Sequence, residues 1–384
     1  MDIAEFNENK PGRIIKALQG YEAFVPNPLP PDIKLSWSLV KEISDAERNL
    51  SRLESTVNFL PNPKLLINPF VRREAVLSSQ IEGTQASLSD LFYFEALKTT
   101  EKDLPDVKEV SNYAFALESI FEEKNNTELT LEFLKELHKK LFRNTNKGFN
   151  SPGEFRKSQN WIGPKGCTLN EAFFVPPPPE EMKNALKEFE KYLITPSHLP
   201  ALINIALIHY QFETIHPFND GNGRIGRILT VMLLHKYGLL SKPLLYLSAY
   251  FEKNRSEYYR LLLAVSQKGE WEKWIRFFLR GISEQSRDVV ERINLLLSIR
   301  QRYRNKLQAV RSSALLLKLI DDLFANPAIT VSRVAESCNI TPRAAQKNID
   351  KLLAEGILKE ITGKKRNRVY VASEIVRIIG ENKL

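Results

Sequence analysis

The side chains with the most chemistry in this chain stand within twelve consecutive positions between two apolar segments. They comprise an imidazole, a carboxylate, two amides, glycines and two guanidinium groups, in the order His216, Pro217, Phe218, Asn219, Asp220, Gly221, Asn222, Gly223, Arg224, Ile225, Gly226 and Arg227. An imidazole, whose ordinary pKa is about 6.5, can act as a general base at neutral pH. Glycines let a ligand approach the backbone closely, and arginine forks bind phosphate oxygens in pairs. These residue types predict a polyphosphate site.

The apolar pattern on either side indicates which elements position this cluster. Upstream, the spacing from Leu202 to Phe212 predicts a largely buried helix. Downstream, a second apolar helix runs from Ile228 to Leu234, and Gly238 follows its last turn. The cluster then lies at the N-terminus of a buried helix, where unpaired N–H groups and the helix dipole favour an anion.

The same residues fit a competing nucleotide-binding pattern. Gly221 to Gly226 reads G-x-G-x-x-G, which binds dinucleotides when a strand precedes it and an acidic residue follows about 20 positions later. The preceding segment is helical in pattern, and the segment from Pro243 to Leu247 contains no carboxylate. The phosphate-loop sequence G-x-x-x-x-G-K-[ST] does not occur in the chain. Both common nucleotide-binding loops are therefore disfavoured.

The cluster resembles the signature of the Fic/DOC family, H-x-F-x-[DE]-G-N-G-R-x-x-R, at every specified position from His216 to Arg227. The resemblance implies an all-helical catalytic core with a small β-hairpin flap. It implies that His216 is the general base that takes the proton from a target hydroxyl. It also implies that Asp220 is the ligand for Mg²⁺, a cation that prefers oxygen ligands.

The remaining residues of the motif correspond to the phosphate-binding part of the family's site. The resemblance implies that Gly221, Asn222 and Gly223 form the anion hole for the α- and β-phosphates of ATP. Arg224 and Arg227 correspond to the clamps on the β- and γ-phosphates. The glycine at 223 matches the adenylylating branch of the family, because the phosphorylating branch has lysine there.

A second, shorter motif lies far upstream, where Ser78, Glu82 and Gly83 match the pattern [ST]-x-x-x-E-[GN]. It resembles the inhibitory motif of Fic proteins that carry their own N-terminal inhibitory helix. The resemblance implies that Glu82 pairs with Arg227 and removes the clamp on the γ-phosphate. The alternative is an ordinary carboxylate at a helix end.

A hairpin is predicted between the two motifs, where two short apolar segments flank a polar stretch and end in the prolines from Pro176 to Pro179. It resembles the Fic flap, which aligns a target segment through strand-like main-chain bonds. The residues expected to contact a target are Ile162, Gly163, Phe174 and Val175. A plain surface hairpin is the alternative.

The C-terminal segment is distinguished by its charge. Residues 301–384 carry 16 Lys and Arg against 8 Asp and Glu, a net of +8 out of +9 for the whole chain. The pattern predicts a helix from Thr330 to Ser337, a turn, and a helix that begins after Thr341 with Pro342 at its first position. A basic hairpin follows, and the whole resembles a winged helix-turn-helix domain.

This domain is expected to bind duplex DNA or, as the alternative, to dock or dimerise with proteins. The residues expected to contact the major groove are Arg343, Gln346 and Lys347. Those expected to contact phosphates are Lys364, Lys365 and Arg366.

The whole chain of 384 residues, 43% of them hydrophobic, is long enough for several cores. We expect an N-terminal helical region over 1–115, a Fic catalytic domain over 116–290, and a linker with the winged helix over 291–384. The chain has no apolar run long enough to cross a membrane and no signal-peptide pattern. Its two distant cysteines fit a reducing compartment, so a cytoplasmic protein without membrane contact is expected.

The predicted function is a protein adenylyltransferase that moves AMP from ATP, with Mg²⁺, to a Ser, Thr or Tyr hydroxyl of a protein. The target protein is left open and includes the chain itself. Whether the chain forms a homo-oligomer and whether it also removes AMP are left open as well. The alternative is a DNA-binding transcriptional regulator whose Fic core only senses a nucleotide. The intact His216 favours the enzyme, because a sensor does not need a base.

Overall fold

The computed structural model describes residues 1–6, 11–60, 62–97, 105–122, 128–143, 151–164, 166–195, 197–309, 314–364 and 366–380. Within these residues the fold is mainly helical, with 15 α-helices and two small antiparallel sheets. The predicted mainly α fold class is therefore confirmed.

The elements are named in chain order. The helices are α1 (Trp37–Asn58), α2 (Lys64–Ile81), α3 (Leu88–Leu97), α4 (Pro105–Glu122), α5 (Leu131–Leu141), α6 (Pro179–Ile194), α7 (Ala201–Ile215), α8 (Asn222–Lys236), α9 (Ser248–Lys253), α10 (Arg255–Lys268), α11 (Trp271–Ala309), α12 (Ala314–Ala325), α13 (Val331–Cys338), α14 (Pro342–Ala354) and α15 (Ser373–Gly380). The strands are β1 (Gly12–Lys16), β2 (Glu22–Pro26), β3 (Ala328–Ile329), β4 (Lys359–Glu360) and β5 (Tyr370–Val371).

The chain divides into two compact units. The motif unit, which contains α7 and α8, consists of Met1–Ser51, Phe115–Ser241 and Leu245–Gln285. The tail unit, which contains α2 and the C-terminal elements, consists of Arg52–Ala114, Lys242–Leu244 and Ser286–Leu384. These two compact units do not coincide with the three domains expected from the sequence. The boundaries of those three domains stay a prediction.

The core of the motif unit is built around α7 and α8, and each of these 15-residue helices buries 13 of its residues. Helices that are buried on all sides must be covered by other elements along their length. Helix α6 packs on α7, and α5 packs on α8. The indole N–H of Trp274 donates to the carbonyl of Ala206 at 2.9 Å, so the aromatic start of α11 is fixed to α7. The two helices therefore hold the loop between them rigidly.

The N-terminal segment forms a β-hairpin that the sequence analysis did not predict. Strands β1 and β2 pair antiparallel, with Gly12 opposite Pro26 and Lys16 opposite Glu22. The backbone N–H of Phe24 donates to the carbonyl of Val175 at 3.0 Å. The hairpin therefore supports the segment that was predicted to form the flap.

In the tail unit, the C-terminal elements follow the order α12, β3, α13, α14, β4, β5 and α15, and the sheet has the order β3-β5-β4. Helix α12 packs on α2, and α15 packs on both α2 and α3. Helix α13 ends at Asn339, which has a left-handed φ of 52°, and α14 begins after Thr341, whose hydroxyl accepts from the N–H of Ala344 at 3.2 Å. The predicted helix, turn and second helix are present in this segment.

A buried ionic network links three helices of the tail unit. Arg73 of α2 lies 3.4 Å from the Asp288 carboxylate of α11, and Arg292 pairs with the same carboxylate at 2.8 Å. The guanidinium of Arg292 also donates to the carbonyls of Ile378 and Ile379 in α15. Arg292 is fully buried, so these partners replace the water that its charge would otherwise require.

Among the residues that the structure describes, no helix is both long enough and apolar enough to cross a bilayer.

Candidate functional site

The motif loop runs from His216 to Gly221 and joins α7 to α8. It begins and ends with a left-handed residue, with φ of 50° at His216 and 81° at Gly221. A Cβ at Gly221 would lie 2.8 Å from the ring of Phe142, so position 221 requires glycine for both conformation and space. The loop conformation therefore depends on residues that the motif specifies.

The imidazole of His216 is half-buried and oriented by its own helix. Its Nδ1 atom lies 3.1 Å from the carbonyl oxygen of Glu213. Because a carbonyl only accepts, Nδ1 carries the proton in the neutral ring and donates to it. Nε2 is then the ring nitrogen that can take a proton from a hydroxyl group.

Asp220 and Arg224 meet at the start of α8. The carboxylate Oδ1 of Asp220 accepts from the N–H of Gly221 at 2.6 Å and from the Arg224 guanidinium at 3.1 Å. The Asp220 side chain is 39% exposed, whereas that of Arg224 is 3% exposed and lies over the ring of Phe142. The loop therefore presents an accessible carboxylate beside a buried cation.

Two arginine side chains make the N-terminal part of α8 electropositive. Arg224 and Arg227 are 2% and 3% exposed, on a helix whose first-turn N–H groups lack intrahelical acceptors. Their effect is visible at His209, which is buried beneath α8. Burial and, second, the charge of Arg227 lower the pKa of His209 to about 3. The electrostatics of this helix end favour an anionic ligand.

The carbonyl groups of the motif loop are bound by side chains from a distant segment. The Arg156 guanidinium donates to the carbonyl of His216 at 2.9 Å, and its backbone N–H donates to that of Pro217. The amide of Asn160 donates to the carbonyl of Phe218 at 3.0 Å, and that of Asn222 donates to the same carbonyl at 2.8 Å. The side chain of Asn222 therefore holds the loop, in addition to its expected place in the anion hole.

His138 of α5 is a further partner of the loop that the sequence analysis missed. Its Nε2 lies 3.1 Å from the carbonyl of Asp220, and its ring stacks on that of Phe218 at 4.1 Å. Burial lowers the pKa of His138 to about 4, so the ring is neutral at pH 7. No sequence signal marks this contact, because the partners are 82 positions apart and helix α5 has an ordinary amphipathic pattern.

The expected flap residues lie at one short antiparallel contact. Ile162 and Phe174 form a single bridge, with N–H to carbonyl distances of 2.9 and 3.1 Å. Phe174 is buried against Phe24, and the Val175 carbonyl accepts from the N–H of Phe24. A Cβ at Gly163 would lie 2.6 Å from the sulfur of Cys167. The residues expected to form the flap are therefore fixed to the N-terminal hairpin.

The residues of the shorter motif lie in the tail unit at the end of α2. Ser78 is fully buried, and Glu82 is an exposed C-cap residue whose N–H donates to the carbonyl of Ser79 at 3.0 Å. Gly83 follows with a left-handed φ of 97°, which ends the helix.

The expected DNA contacts are distributed over α14 and the segment after β4. Arg343 and Lys347 are exposed on α14, and Lys364 and Arg366 are exposed in the turn between β4 and β5. Gln346 is half-buried and donates its amide to the Asp350 carboxylate at 2.7 Å. Lys365 lies outside the described residues.

Two family models match the chain. Residues 40–122 match the Fic/DOC family N-terminal model. Residues 128–234, which include the loop from His216 to Gly221, match the Fic/DOC family model. Together with the fold and the motif loop, these matches define a protein built around a Fic domain. The chain belongs to the Fic/DOC family.

Related proteins agree with this assignment. A probable protein adenylyltransferase of Aquifex aeolicus is 30% identical over 172 residues, which are 44% of this chain and 49% of that protein. The protein adenylyltransferase Fic of Drosophila erecta is 31% identical over 39% of this chain and 27% of its own length. The chain thus spans about half or less of these relatives.

A solved structure of a Fic family protein from Desulfovibrio desulfuricans superposes with a TM-score of 0.58 over 90% of this chain and 98% of its own, at 16% identity. Fic-1 from C. elegans superposes with a TM-score of 0.52 over 68% and 74%, at 20% identity. These likenesses concern the fold.

Proposed function

We propose that this protein is a protein adenylyltransferase that transfers AMP from ATP to a serine, threonine or tyrosine hydroxyl of a target protein. The observation that carries the proposal is the loop from His216 to Gly221, which joins an oriented imidazole to the electropositive N-terminus of α8. The names of the Aquifex and Drosophila relatives support the same activity.

The chemistry follows from this arrangement. The target hydroxyl oxygen forms a bond to the α-phosphorus, and its proton passes to Nε2 of His216, because Nδ1 donates to the Glu213 carbonyl. The bond from the α-phosphorus to the oxygen that bridges to the β-phosphate breaks, and pyrophosphate leaves. The N–H groups at the start of α8 and the side chains of Arg224 and Arg227 stabilise the phosphate charge.

A divalent cation fits the same site. The Asp220 carboxylate is accessible and lies at the helix end where the phosphates of ATP are proposed to bind. Mg²⁺ is commonly held by one or two carboxylates together with substrate phosphates. Asp220 would hold Mg²⁺, which would supply further neutralisation of the charge on the β- and γ-phosphates.

Auto-inhibition by Glu82 is part of the proposal. Its support is the motif of Ser78, Glu82 and Gly83 and the position of Glu82 as the C-cap residue of α2. A carboxylate that pairs with Arg227 would compete with the γ-phosphate for the same guanidinium. The proposal therefore expects a low basal rate.

The test is incubation of the full chain with ATP labelled at either the α- or the γ-phosphate, followed by detection of labelled protein. We expect transfer of the α-label, at least to the chain itself, and release of pyrophosphate. Transfer of the γ-label would instead identify a kinase, and no transfer by the Glu82→Gly variant to itself or to lysate proteins would contradict the activity.

A second candidate function is duplex DNA binding by α14 and the turn between β4 and β5. It is favoured by the exposed basic residues Arg343, Lys347, Lys364 and Arg366, which lie in the order of elements expected for a winged helix. A transcriptional regulator of this kind would use the Fic core as a nucleotide sensor. Transfer of the α-label from ATP distinguishes the two functions, because a nucleotide sensor does not need to transfer AMP.

A further inference from the structure

His138 is held on both of its ring nitrogens. Its Nδ1 accepts from the backbone N–H of Gly153 at 2.9 Å, and its Nε2 lies 3.1 Å from the carbonyl oxygen of Asp220. A backbone N–H only donates and a carbonyl only accepts, so one tautomer satisfies both contacts, with the proton on Nε2. Gly153 has a left-handed φ of 85°, a backbone conformation that favours glycine.

The contact with Asp220 determines more than the position of one carbonyl. The carbonyl of Asp220 and the N–H of Gly221 belong to the same planar peptide group, so fixing the oxygen also fixes the N–H. That N–H donates to Oδ1 of Asp220 at 2.6 Å. The hydrogen bond from His138 is therefore transmitted, through one peptide plane, to the orientation of the Asp220 carboxylate.

The ring face of His138 fixes the same loop from a second direction. It stacks on Phe218 with an interplanar angle of 10°, and Phe142 packs against it at 4.7 Å. With Arg156 and Asn160 on the carbonyls of His216 and Phe218, His138 completes a set of side chains that bind the loop along its length.

We propose that His138 is a positioning residue that orients the Asp220 carboxylate toward a divalent cation bound with the nucleotide. The inference rests on the proposed function, because the cation is expected only if the motif loop binds a nucleotide. Groups that orient a metal ligand through a hydrogen bond typically change metal affinity 10–100-fold when removed.

Three variants separate the contacts of His138. Glutamine places an amide N–H₂ near Nε2 and can keep the donor to Asp220. Asparagine places its oxygen near Nδ1 and can keep the acceptor for Gly153 but not the donor. Phenylalanine keeps only the ring packing. The matched control is His235→Phe, since Nδ1 of His235 also contacts a backbone carbonyl, that of Leu240, at 3.1 Å.

The measurement is Mn²⁺ binding, followed by electron paramagnetic resonance, in the presence of a non-hydrolysable ATP analogue. We expect His138→Gln to bind Mn²⁺ within about 3-fold of the wild type, and His138→Asn and His138→Phe to bind about 10–100-fold more weakly. Binding of the analogue without metal should change much less. The thermal unfolding midpoint of each variant, measured alongside, confirms that it is folded.

The outcomes are distinguishable. If the wild type binds no Mn²⁺ with the analogue, the proposed function fails. If the wild type binds and the asparagine and phenylalanine variants bind equally well, only the role of His138 is overturned. Loss in the glutamine variant equal to that in the phenylalanine variant would show that a donor near Nε2 does not preserve metal binding, and would overturn the role of the hydrogen bond to Asp220.

Discussion

Two helix–turn–helix segments of this chain share a left-handed residue after their first helix and differ in the burial of their basic side chains. In the motif turn, α7 ends at His216 with a φ of 50° and α8 follows; in the tail turn, α13 ends at Asn339 with a φ of 52° and α14 follows. Each second helix carries basic residues in its first two turns. Arg224 and Arg227 of α8 are buried, at 2% and 3% exposed, whereas Arg343 of α14 is exposed.

The burial of its basic side chains determines what each turn can recognise. A buried guanidinium has already lost its water and is held in one geometry, so it suits a small polyanion whose oxygens must be placed accurately. Exposed basic side chains keep their water and their freedom, so they suit an extended polyanion bound through counterion release. The comparison predicts chemistry at the motif turn and salt-dependent association at the tail turn.

The largest expected effect is on chemistry at the motif turn. His216→Ala should lower the rate of AMP transfer about 10²–10⁴-fold, because it removes the general base. The rate is measured as labelled AMP incorporated from ATP, with His235→Ala as the control histidine. Undiminished transfer without His216 would remove the distinction between the two turns.

Salt should weaken DNA binding at the tail turn much more than ATP binding at the motif turn. If Arg343, Lys347, Lys364 and Arg366 each neutralise one phosphate of duplex DNA, raising salt from about 50 to about 200 mM should weaken binding about 10²-fold. ATP binding should change far less over the same range, because its arginines are buried. Fluorescence anisotropy of labelled duplex DNA measures the effect, and Arg343→Ala should lower the salt slope by about 1. Absence of binding at the lower salt would favour protein docking by the tail turn.

Mild acid should act on one unit more than the other, because all 5 histidines of the sequence fall in the motif unit. Burial holds the pKa of His138 at about 4 and that of His209 at about 3. Unfolded histidines bind protons below about pH 6.5, so between that pH and the folded values the unfolded state binds more protons and stability falls as pH falls. At pH 5 the expected loss is about 2 kcal/mol for each buried ring.

All four tryptophans also lie in the motif unit, so their fluorescence during urea unfolding at pH 7 and pH 5 measures this loss for that unit. His209→Gln should reduce the pH dependence. Hydrogen exchange of tail-unit peptides, corrected for the intrinsic pH dependence of exchange, measures the stability of the tail unit at the same two pH values. An equal loss of stability there would contradict the assignment of the effect to buried histidines.

The smallest expected effect concerns the proposed inhibition. Glu82→Gly should raise AMP transfer about tenfold, within the range of typical coupling energies, because Arg227 becomes available to the γ-phosphate. Glu355→Gly is the matched control, since Glu355 caps α14 with φ and ψ of −79° and 0°, against −83° and 0° at Glu82, and also precedes a left-handed glycine. A rate that is unchanged or lower in Glu82→Gly would leave Glu82 as an ordinary helix-end residue.

Much of the motif turn could be predicted from the sequence, because its information is local. The apolar patterns of α7 and α8 and the residues from His216 to Arg227 are contiguous, and the mainly α fold follows from such patterns. The start of α14 after Thr341 was predictable for the same reason, since capping residues act within a few positions.

The remaining features depend on long-range contacts. His138 and Arg156 meet the loop across 82 and 60 positions, and nothing in their local pattern differs from ordinary helix or loop residues. The expected flap hairpin is reduced to one bridge between Ile162 and Phe174, and the carbonyl of the next residue, Val175, accepts from the N–H of Phe24 in β2.

The network of Arg73, Asp288 and Arg292 predicts how a truncation that removes α15 would affect the protein. A nonsense codon just before Ser373 would delete α15 and with it the carbonyls that Arg292 donates to, while leaving that guanidinium in the interior. Removing one partner of a buried charge typically costs about 3–5 kcal/mol. A stop codon at this position should therefore resemble a core mutation in its phenotype, with lowered abundance in the cell, and its effect should extend to α2, which Glu82 caps.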